Sequence, residues 1–324
     1  MGIYIITTQL NHYDFKFIAL FYVIYNVIAF GLQPFLGYFA DQKNLYSIYI
    51  LIGLTLPLIA LQMIQFGVIA IILATFGNAM YHLGGGVLSI NLYPNKAAPA
   101  GFFVAPGALG VFVGVLLAKE NQSYVSYISL IVIIMLLSLY FVLKTHRSIY
   151  AYRTISDDFI KIICLILAVV LIRGLIGTML ILMWKNQIWL LVSLTIGIFS
   201  GKLLGGWLGD VFGYKRIGIG GLIISLPLLI LGHQIAFYGI LGAFFFNLTM
   251  AITLFIIIQS LGKYKGTAFG LTTLSLLIAY LPSAFGLHFE FGIFYELFII
   301  ICVLLGAYLL NKAISLYLKT IKGV

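Results

Sequence analysis

Residues 206–216 read GWLGDVFGYKR, lie between two long apolar runs, and have an earlier counterpart in residues 37–44, which read GYFADQKN. Asp41 and Asp210 are 210 − 41 = 169 residues apart. Each motif places a glycine, which lets neighbouring helices approach closely, one turn before an aspartate at the end of an apolar run. The pair therefore predicts two related halves, each with a polar turn at the same place.

Composition identifies the class of protein. The chain of 324 residues is 63% apolar and 8% charged, with a mean hydropathy of +1.17, whereas soluble proteins carry about 25% charged residues. The net charge of +10 comes from basic residues scattered through short loops, so we expect no nucleic-acid partner. Cys164 and Cys302 lie in apolar runs and are interpreted as packing residues. No metal or other cofactor is predicted.

Apolar runs long enough to span a bilayer, about 20 residues each, predict an all-α integral membrane protein. Eleven are present, at 16–40, 46–64, 66–92, 98–118, 124–143, 160–183, 187–209, 217–232, 235–258, 266–286 and 293–311. The longest polar connection follows the fifth run. It predicts an N-terminal half at 1–147, a central loop at 148–160 and a C-terminal half at 161–324.

Loop charge predicts the orientation, because cytoplasmic loops are enriched in Lys and Arg. Placing both motifs in the cytoplasm puts thirteen basic residues on that side, among them Lys43, Lys215 and Arg216. Only Lys16, Lys119 and Lys185 then lie outside. We therefore expect a multi-pass protein of the plasma or inner membrane with a cytoplasmic central loop and C-terminus.

The 169-residue spacing recurs outside the motifs. Three further pairs keep it to within one residue: Asn78 with Asn247, Gly101 with Gly270, and Pro57 with Pro227. These coincidences favour two pseudo-symmetric six-helix halves. The run at 160–183 would correspond to residues before 14, so we expect the first helix to lack its start. The alternative is a short peripheral segment at the N-terminus.

Residues 206–216 match the pattern Gly-x-x-x-Asp-x-x-Gly-x-Lys/Arg-Lys/Arg, and on this motif the chain resembles the major facilitator superfamily over essentially its whole length. The earlier copy has Asn44 in place of the turn glycine and only Lys43 in place of the basic pair. The resemblance implies a twelve-helix plan, here about eleven complete helices, and alternating access. It also implies a cytoplasmic gate formed by Asp41, Lys43, Asp210, Lys215 and Arg216.

Residues 101–110, GFFVAPGALG, are similar to the fifth-helix motif of this superfamily's antiporters, Gly-x-x-x-Gly-Pro-x-x-Gly-Gly. The packing residues would be Gly101, Pro106, Gly107 and Gly110, whereas Ala105 and Leu109 replace two glycines of the pattern. The resemblance implies export by exchange. Uptake by a permease of the same fold remains the alternative.

Residues 77–86, GNAMYHLGGG, place Asn78 and His82 one turn apart on one helix face. The stretch is similar to the fourth helix of fosmidomycin-resistance-type exporters, with Leu83 where a proline is expected. These two side chains are candidates for substrate binding or proton coupling. A histidine that is hydrogen-bonded only for packing is the alternative.

Arg173 is the deepest charged residue, near the middle of the run 160–183 and about 15 Å from either end at 1.5 Å per residue. Ionisable groups at such depth usually face a cavity and mark a pathway, although a structural ion pair is the alternative. Lys202, eight residues from Asp210, is expected to extend its ammonium group to the cytoplasm. Gln33 and Asn247 are further candidates for lining the path.

The acidic residues narrow the substrate class. All eight lie in loops or at predicted helix ends, so no buried carboxylate is available for a cation. This favours an anionic or neutral polar solute. With a reference pKa of about 6.5, His82 is the best candidate for proton transfer.

The sequence therefore predicts a secondary active transporter of a small organic solute, acting by proton-coupled export in the bilayer as a monomer. A truncated fragment without transport activity is the alternative. A membrane enzyme is least supported, because only His288 and Glu290 lie together and they lack a third partner.

Overall fold

The computed structural model describes residues 1–8, 15–120, 123–145 and 158–322, and within these ranges it is helical and contains no β-strand. The helices are α1 Gly2–Thr8, α2 Phe15–Gly31, α3 Gln33–Lys43, α4 Tyr46–Gln62, α5 Val68–Leu92, α6 Ala98–Val104, α7 Pro106–Lys119, α8 Val125–Thr145, α9 Asp158–Met179, α10 Ile188–Phe212, α11 Tyr214–Leu231, α12 Ala236–Asn247, α13 Thr249–Ser260, α14 Lys265–Ala284 and α15 Ile293–Lys322. A 3₁₀ turn, Ile64–Phe66, joins α4 to α5.

Three pairs of helices run on as single spans with a bend: α2 with α3, α6 with α7, and α12 with α13. Pro34 and Pro106 lie in the first turns of α3 and α7, next to the bends. Proline favours a bend there because it lacks the N–H that an unbroken helix requires. The bundle thus has twelve helical positions, of which α1 is the first and α15 the twelfth. The predicted all-α membrane bundle is confirmed.

Nine of the described helices or helix pairs are long and apolar enough to cross a membrane. Two further apolar helices, Tyr46–Gln62 and Val125–Tyr140, are slightly shorter. Together they account for the eleven predicted runs. The last helix continues well past the predicted residue 311, because Ala313, Ile314 and Tyr317 keep an apolar face on the core at helical spacing.

The helix α1 packs against α7 and α5, with Ile5 and Ile6 fully buried. By the 169-residue spacing it corresponds to residues 171–177 of α9. The predicted boundary between the halves, 148–160, lies outside the described residues except for its last three positions.

The two halves meet where a glycine of one helix touches the backbone of a helix from the other half. A Cβ atom on Gly37 of α3 would overlap the backbone of Gly266 in α14, and one on Gly206 of α10 would overlap the carbonyl of Ala97 before α6. The two contacts are equivalent, because Gly206 is 169 residues after Gly37 and Ala97 is 169 residues before Gly266. The sequence repeat is therefore a repeat of three-dimensional contacts.

A second pair of contacts follows the same rule one turn away. A Cβ on Gly270 of α14 would overlap Gln33 of α3, and one on Gly101 of α6 would meet the carbonyl oxygen of Lys202 in α10 at 2.7 Å. Gln33 and Lys202 thus occupy equivalent places in the two halves. In the order of the twelve positions, the second helix (α3) therefore contacts the eleventh (α14) in the same way as the eighth (α10) contacts the fifth (α6).

Candidate functional site

The end of the bundle that contains both sequence motifs, called the motif side below, is held together by Asp41. Its carboxylate accepts hydrogen bonds from the N–H groups of Gly266 at 2.7 Å and Thr267 at 2.8 Å, and from the Thr267 hydroxyl at 2.6 Å. The Tyr46 hydroxyl also donates to it. The first N–H groups of a helix lack partners within the helix, so an acid from the other half caps α14.

Asp210 repeats this arrangement in the opposite direction. Its two oxygens accept from the N–H groups of Ala97 and Ala98, each at 2.8 Å, at the start of α6. The Tyr214 hydroxyl donates to it at 2.9 Å. Each half therefore contributes one aspartate and one helix N-terminus, and the two caps close the motif side symmetrically.

The basic residues of the motifs do not take part in these caps. Lys43, Lys215 and Arg216 are exposed, and the one ion pair in the described residues joins Lys161 to Asp158. The aspartates bind backbone N–H groups because those donors lie in line with the helix axis, whereas long basic side chains remain solvated. The structure thus brings Asp41 and Asp210 into the interface and leaves their basic neighbours beside it.

The residue three positions after each aspartate has a positive φ, although the two turns differ. Asn44 has φ 53° and ψ 49°, in the left-handed region, whereas Gly213 at the matching position has φ 96° and ψ 137°. Asparagine adopts this conformation more readily than most residues. The replacement of glycine by Asn44 therefore leaves the contacts of Asp41 as complete as those of Asp210.

Two further hydrogen bonds cross between the halves on the motif side. The buried Lys265 ammonium donates to Oδ1 of Asn91 at 2.6 Å, and the Gln259 amide donates to the carbonyl of Pro94, also at 2.6 Å. None of these four residues carries a motif in the sequence. Lys265 directly precedes the capped Gly266, and Pro94 lies three residues before the capped Ala97, so both bonds strengthen the same closure.

Deeper in the bundle, Gln33, His82 and Lys202 each lie ten residues from the motif-side end of their helix, about 15 Å at 1.5 Å per residue. Gln33 is fully buried, its amide donates to Ala29, and its Oε1 has no partner. The His82 ring stands edge-on to Tyr81 and to Phe103. This layer forms the middle of the bundle.

Arg173 lies above this layer on α9. Because α9 ends at Met179 and not at residue 183, Arg173 is fifteen residues from the motif-side end and six from the other. It is 9% exposed, and its guanidinium carbon is 5.5 Å from the ring centre of Phe246. Its buried Nε has no hydrogen-bond partner. No acid in the described residues pairs with it.

Lys202 differs from its sequence prediction. It is only partly exposed, and its carbonyl group is in close contact with Gly101 of α6 in the other half, so it lies at the interface between the halves. The physical reason is the rotation of α10, because Gly201 and Gly205 face the backbones of Phe244 and Leu248. That contact turns Lys202 toward the interface between the halves.

The paired asparagines lie in the same region but make different contacts. The Asn247 amide donates to the carbonyl of Ala243 at 2.8 Å at the bend between α12 and α13. Asn78 is partly buried, one turn from His82 on α5. In the 101–110 stretch, Gly101 packs against α10, whereas Pro106, Gly107 and Gly110 are exposed.

Comparisons with known proteins agree with this architecture. No protein-family model and no curated protein matches the sequence. The E. coli fucose:proton symporter FucP matches with a TM-score of 0.62 at 12% identity over 96% of both chains. A second FucP structure, in the outward conformation, has the same TM-score at 13% identity over 96% of this chain and 97% of that one. The human organic anion transporter MFSD10 has a TM-score of 0.63 at 12% identity over 92% of this chain and 83% of that one.

A bacterial homologue of the iron transporter ferroportin, in an outward-facing state, matches with a TM-score of 0.51 at 15% identity, over 98% of this chain and 97% of that one. At these identities the similarity concerns the fold. The chain has the fold of major facilitator superfamily transporters, with two pseudo-symmetric halves.

Proposed function

We propose that this chain is a secondary active carrier that moves a small anionic or neutral polar solute by alternating access. The observation that carries the proposal is the symmetric pair of caps, in which Asp41 and Asp210 each close the start of a helix from the opposite half. Such bonds are individually modest and break without unfolding either half. They suit a gate that opens in every cycle.

In this mechanism the halves 1–147 and 161–324 rock against each other around the interior layer, and the loop 148–160 connects them. Arg173, His82 and Asn78 bind the solute, and Gln33 and Asn247 line its path. Polar side chains without partners at this depth are costly unless water or a solute reaches them. The unpartnered Nε of Arg173 and Oε1 of Gln33 support this assignment.

We further propose proton-coupled export, with His82 as the proton-titrating group and Lys202 and Tyr81 as its neighbours. The similarity of residues 101–110 to an antiporter motif favours export over uptake. The excess of basic residues on the motif side, Lys43, Lys215 and Arg216 among them, favours a cytoplasmic location for that side. All the residues of this site come from one chain, which fits a monomer in the cell membrane.

Flux into proteoliposomes tests the proposal. The protein is reconstituted with a panel of radiolabelled organic anions and neutral polar solutes, and uptake is compared with and without an imposed pH gradient. We expect Arg173→Ala to abolish flux while the protein remains inserted and folded. Lys312→Met, at an exposed position of α15, is the matched loss of a positive charge and should retain flux. Normal flux through Arg173→Ala would refute the assignment of the site.

A further inference from the structure

The positive charge inside the bundle has no counter-charge in the described residues. Six acids are described there, namely Asp41, Glu120, Asp158, Asp210, Glu290 and Glu296, and each lies at a helix end or in a loop. The two nearest the interface between the halves are already occupied by backbone N–H groups and a tyrosine hydroxyl each. The described residues therefore leave no acid free to pair with a positive charge in the interior.

Arg173 provides one half of a binding site for such an anion. A guanidinium group has five N–H donors and no acceptor, yet no described group accepts a hydrogen bond from it, and its Nε is buried. The guanidinium carbon lies over the ring of Phe246, 5.5 Å from its centre, and an aromatic ring takes none of the N–H donors in the guanidinium plane. A planar fork of donors of this kind matches a carboxylate or phosphate group.

Lys202 provides the second half. It reaches the interface through the close contact of its backbone with Gly101, and it makes no hydrogen bond or ion pair with the described residues. Lys202 is ten residues and Arg173 fifteen residues from the motif-side ends of their helices, so at 1.5 Å per residue they differ by about 7.5 Å in depth. Gly201, next to Lys202, packs against Asn247, which follows Phe246 under Arg173. Two positive charges in the interior repel each other unless an anion lies between them.

His82 completes the site from the first half of the bundle. It stands 5.9 Å from Phe103, ring centre to ring centre, and makes no hydrogen bond with the described residues. Its ring is free to donate to a ligand oxygen. The site thus takes two groups from the second half and one from the first, so a bound ligand draws the halves together.

We propose that Arg173, Lys202 and His82 form one site for a small organic dianion, such as a dicarboxylate or a phosphate monoester. The inference rests on the proposed carrier function and narrows its substrate class. Arg173 binds one charged group through its fork of donors. Lys202 neutralises the second charge and thereby selects a dianion over a monoanion.

The test measures ligand-dependent thermal stabilisation of the full chain in lipid nanodiscs. The probes are succinate and glycerol 3-phosphate, each beside a matched monoanion, succinamate and glycerol methylphosphate, at equal ionic strength. We expect at least one dianion to bind the wild type tenfold or more tightly than its monoanion. The pair that shows this preference distinguishes a dicarboxylate site from a phosphate site. Equal affinity within both pairs, or no binding by either dianion, overturns the inference.

Two variants assign the preference to its residues. Lys202→Met should bring dianion affinity down to that of the monoanion, whereas Arg173→Gln should weaken both at least tenfold. Lys312→Met, an exposed loss of the same charge, should leave both affinities unchanged. A dianion preference that survives in Lys202→Met refutes the role of Lys202. Flux measured on the same preparations separates the two proposals, because transport of a neutral solute without any dianion preference overturns only this inference.

Discussion

Replacing Asp41 by asparagine should open the motif side more than the same change at Asp210. Each oxygen of Asp41 accepts two hydrogen bonds, and one of those oxygens serves both donors of Thr267. An asparagine keeps one acceptor oxygen and turns an NH₂ group toward the other donors. At position 41 the NH₂ group leaves one backbone N–H without an acceptor, and the hydroxyl that shared that oxygen must reverse and accept a weaker, neutral hydrogen bond. At position 210 only one bond need be lost, because Oδ2 accepts a single bond.

The magnitude follows from the bonds lost and weakened. A hydrogen bond to a charged acceptor contributes about 1.5–3 kcal/mol and a neutral one about 1 kcal/mol less, so Asp41→Asn should destabilise the closed motif side by about 2.5 kcal/mol. Asp210→Asn should cost about 1.5 kcal/mol. At 1.4 kcal/mol for each factor of ten, the closed-to-open ratio should fall about sixtyfold in Asp41→Asn and about tenfold in Asp210→Asn.

The assay is a distance distribution between two spin labels on opposite halves. Gln42 and Lys319 are exposed at the motif side and suit labelling once Cys164 and Cys302 are replaced by alanine. The wild type should show one short distance, and both variants should add a longer one. The longer distance should be more populated in Asp41→Asn.

Two controls make the comparison specific. Asp158→Asn removes an exposed acid that pairs only with Lys161 on the same helix, so it should leave the distances unchanged. Thr267→Ala should reduce the cost of Asp41→Asn toward that of Asp210→Asn, because it removes the extra donor. Equal populations in the two aspartate variants, or a larger effect at Asp210, would refute this account of the caps.

Three other changes test the contacts around the caps. Gly206→Val should prevent closure of the motif side, because the valine side chain would overlap the backbone of Ala97. The short spin-label distance should then be lost, and an unchanged distance would contradict the packing. Asn44 has a φ of 53°, a left-handed conformation that glycine adopts easily and valine does not. Asn44→Gly should therefore leave the stability of the fold equal or slightly higher, whereas Asn44→Val should lower it by about 1–2 kcal/mol. Equal melting temperatures of the two variants would count against this. Lys265→Met should weaken closure by about 1–3 kcal/mol, because Asn91 loses its donor across the halves, and distances identical to the wild type would exclude that role.

Hydropathy was sufficient to predict the bundle, because the thickness of the bilayer fixes the length of an apolar helix. It could not place the bends at Leu32, Ala105 and Leu248, since only two of them are marked by proline. It also ended the last helix too early. Lys312 and Lys319 interrupt the apolar run there, although the face toward the core remains apolar.

The candidate site was harder to predict, because its contacts join residues from opposite halves. The motifs identified Asp41 and Asp210, but no local pattern shows that their partners are the N-termini of α14 and α6. Thr267 and Lys265 were missed for that reason. The 169-residue spacing contained the missing signal for Lys202, because it pairs that residue with Gln33, which was already a candidate for lining the path.

The central claim, that the two halves separate on the motif side in every transport cycle, is tested most directly by a reversible lock. Tyr38 and Tyr264 come from opposite halves, and their rings stack with centres 6.3 Å apart. With the native cysteines replaced, cysteines at these two positions are joined by a thiol-reactive cross-linker that contains a disulfide. We predict that cross-linking stops flux in proteoliposomes and that reduction restores it. Undiminished flux in the locked protein would contradict the account.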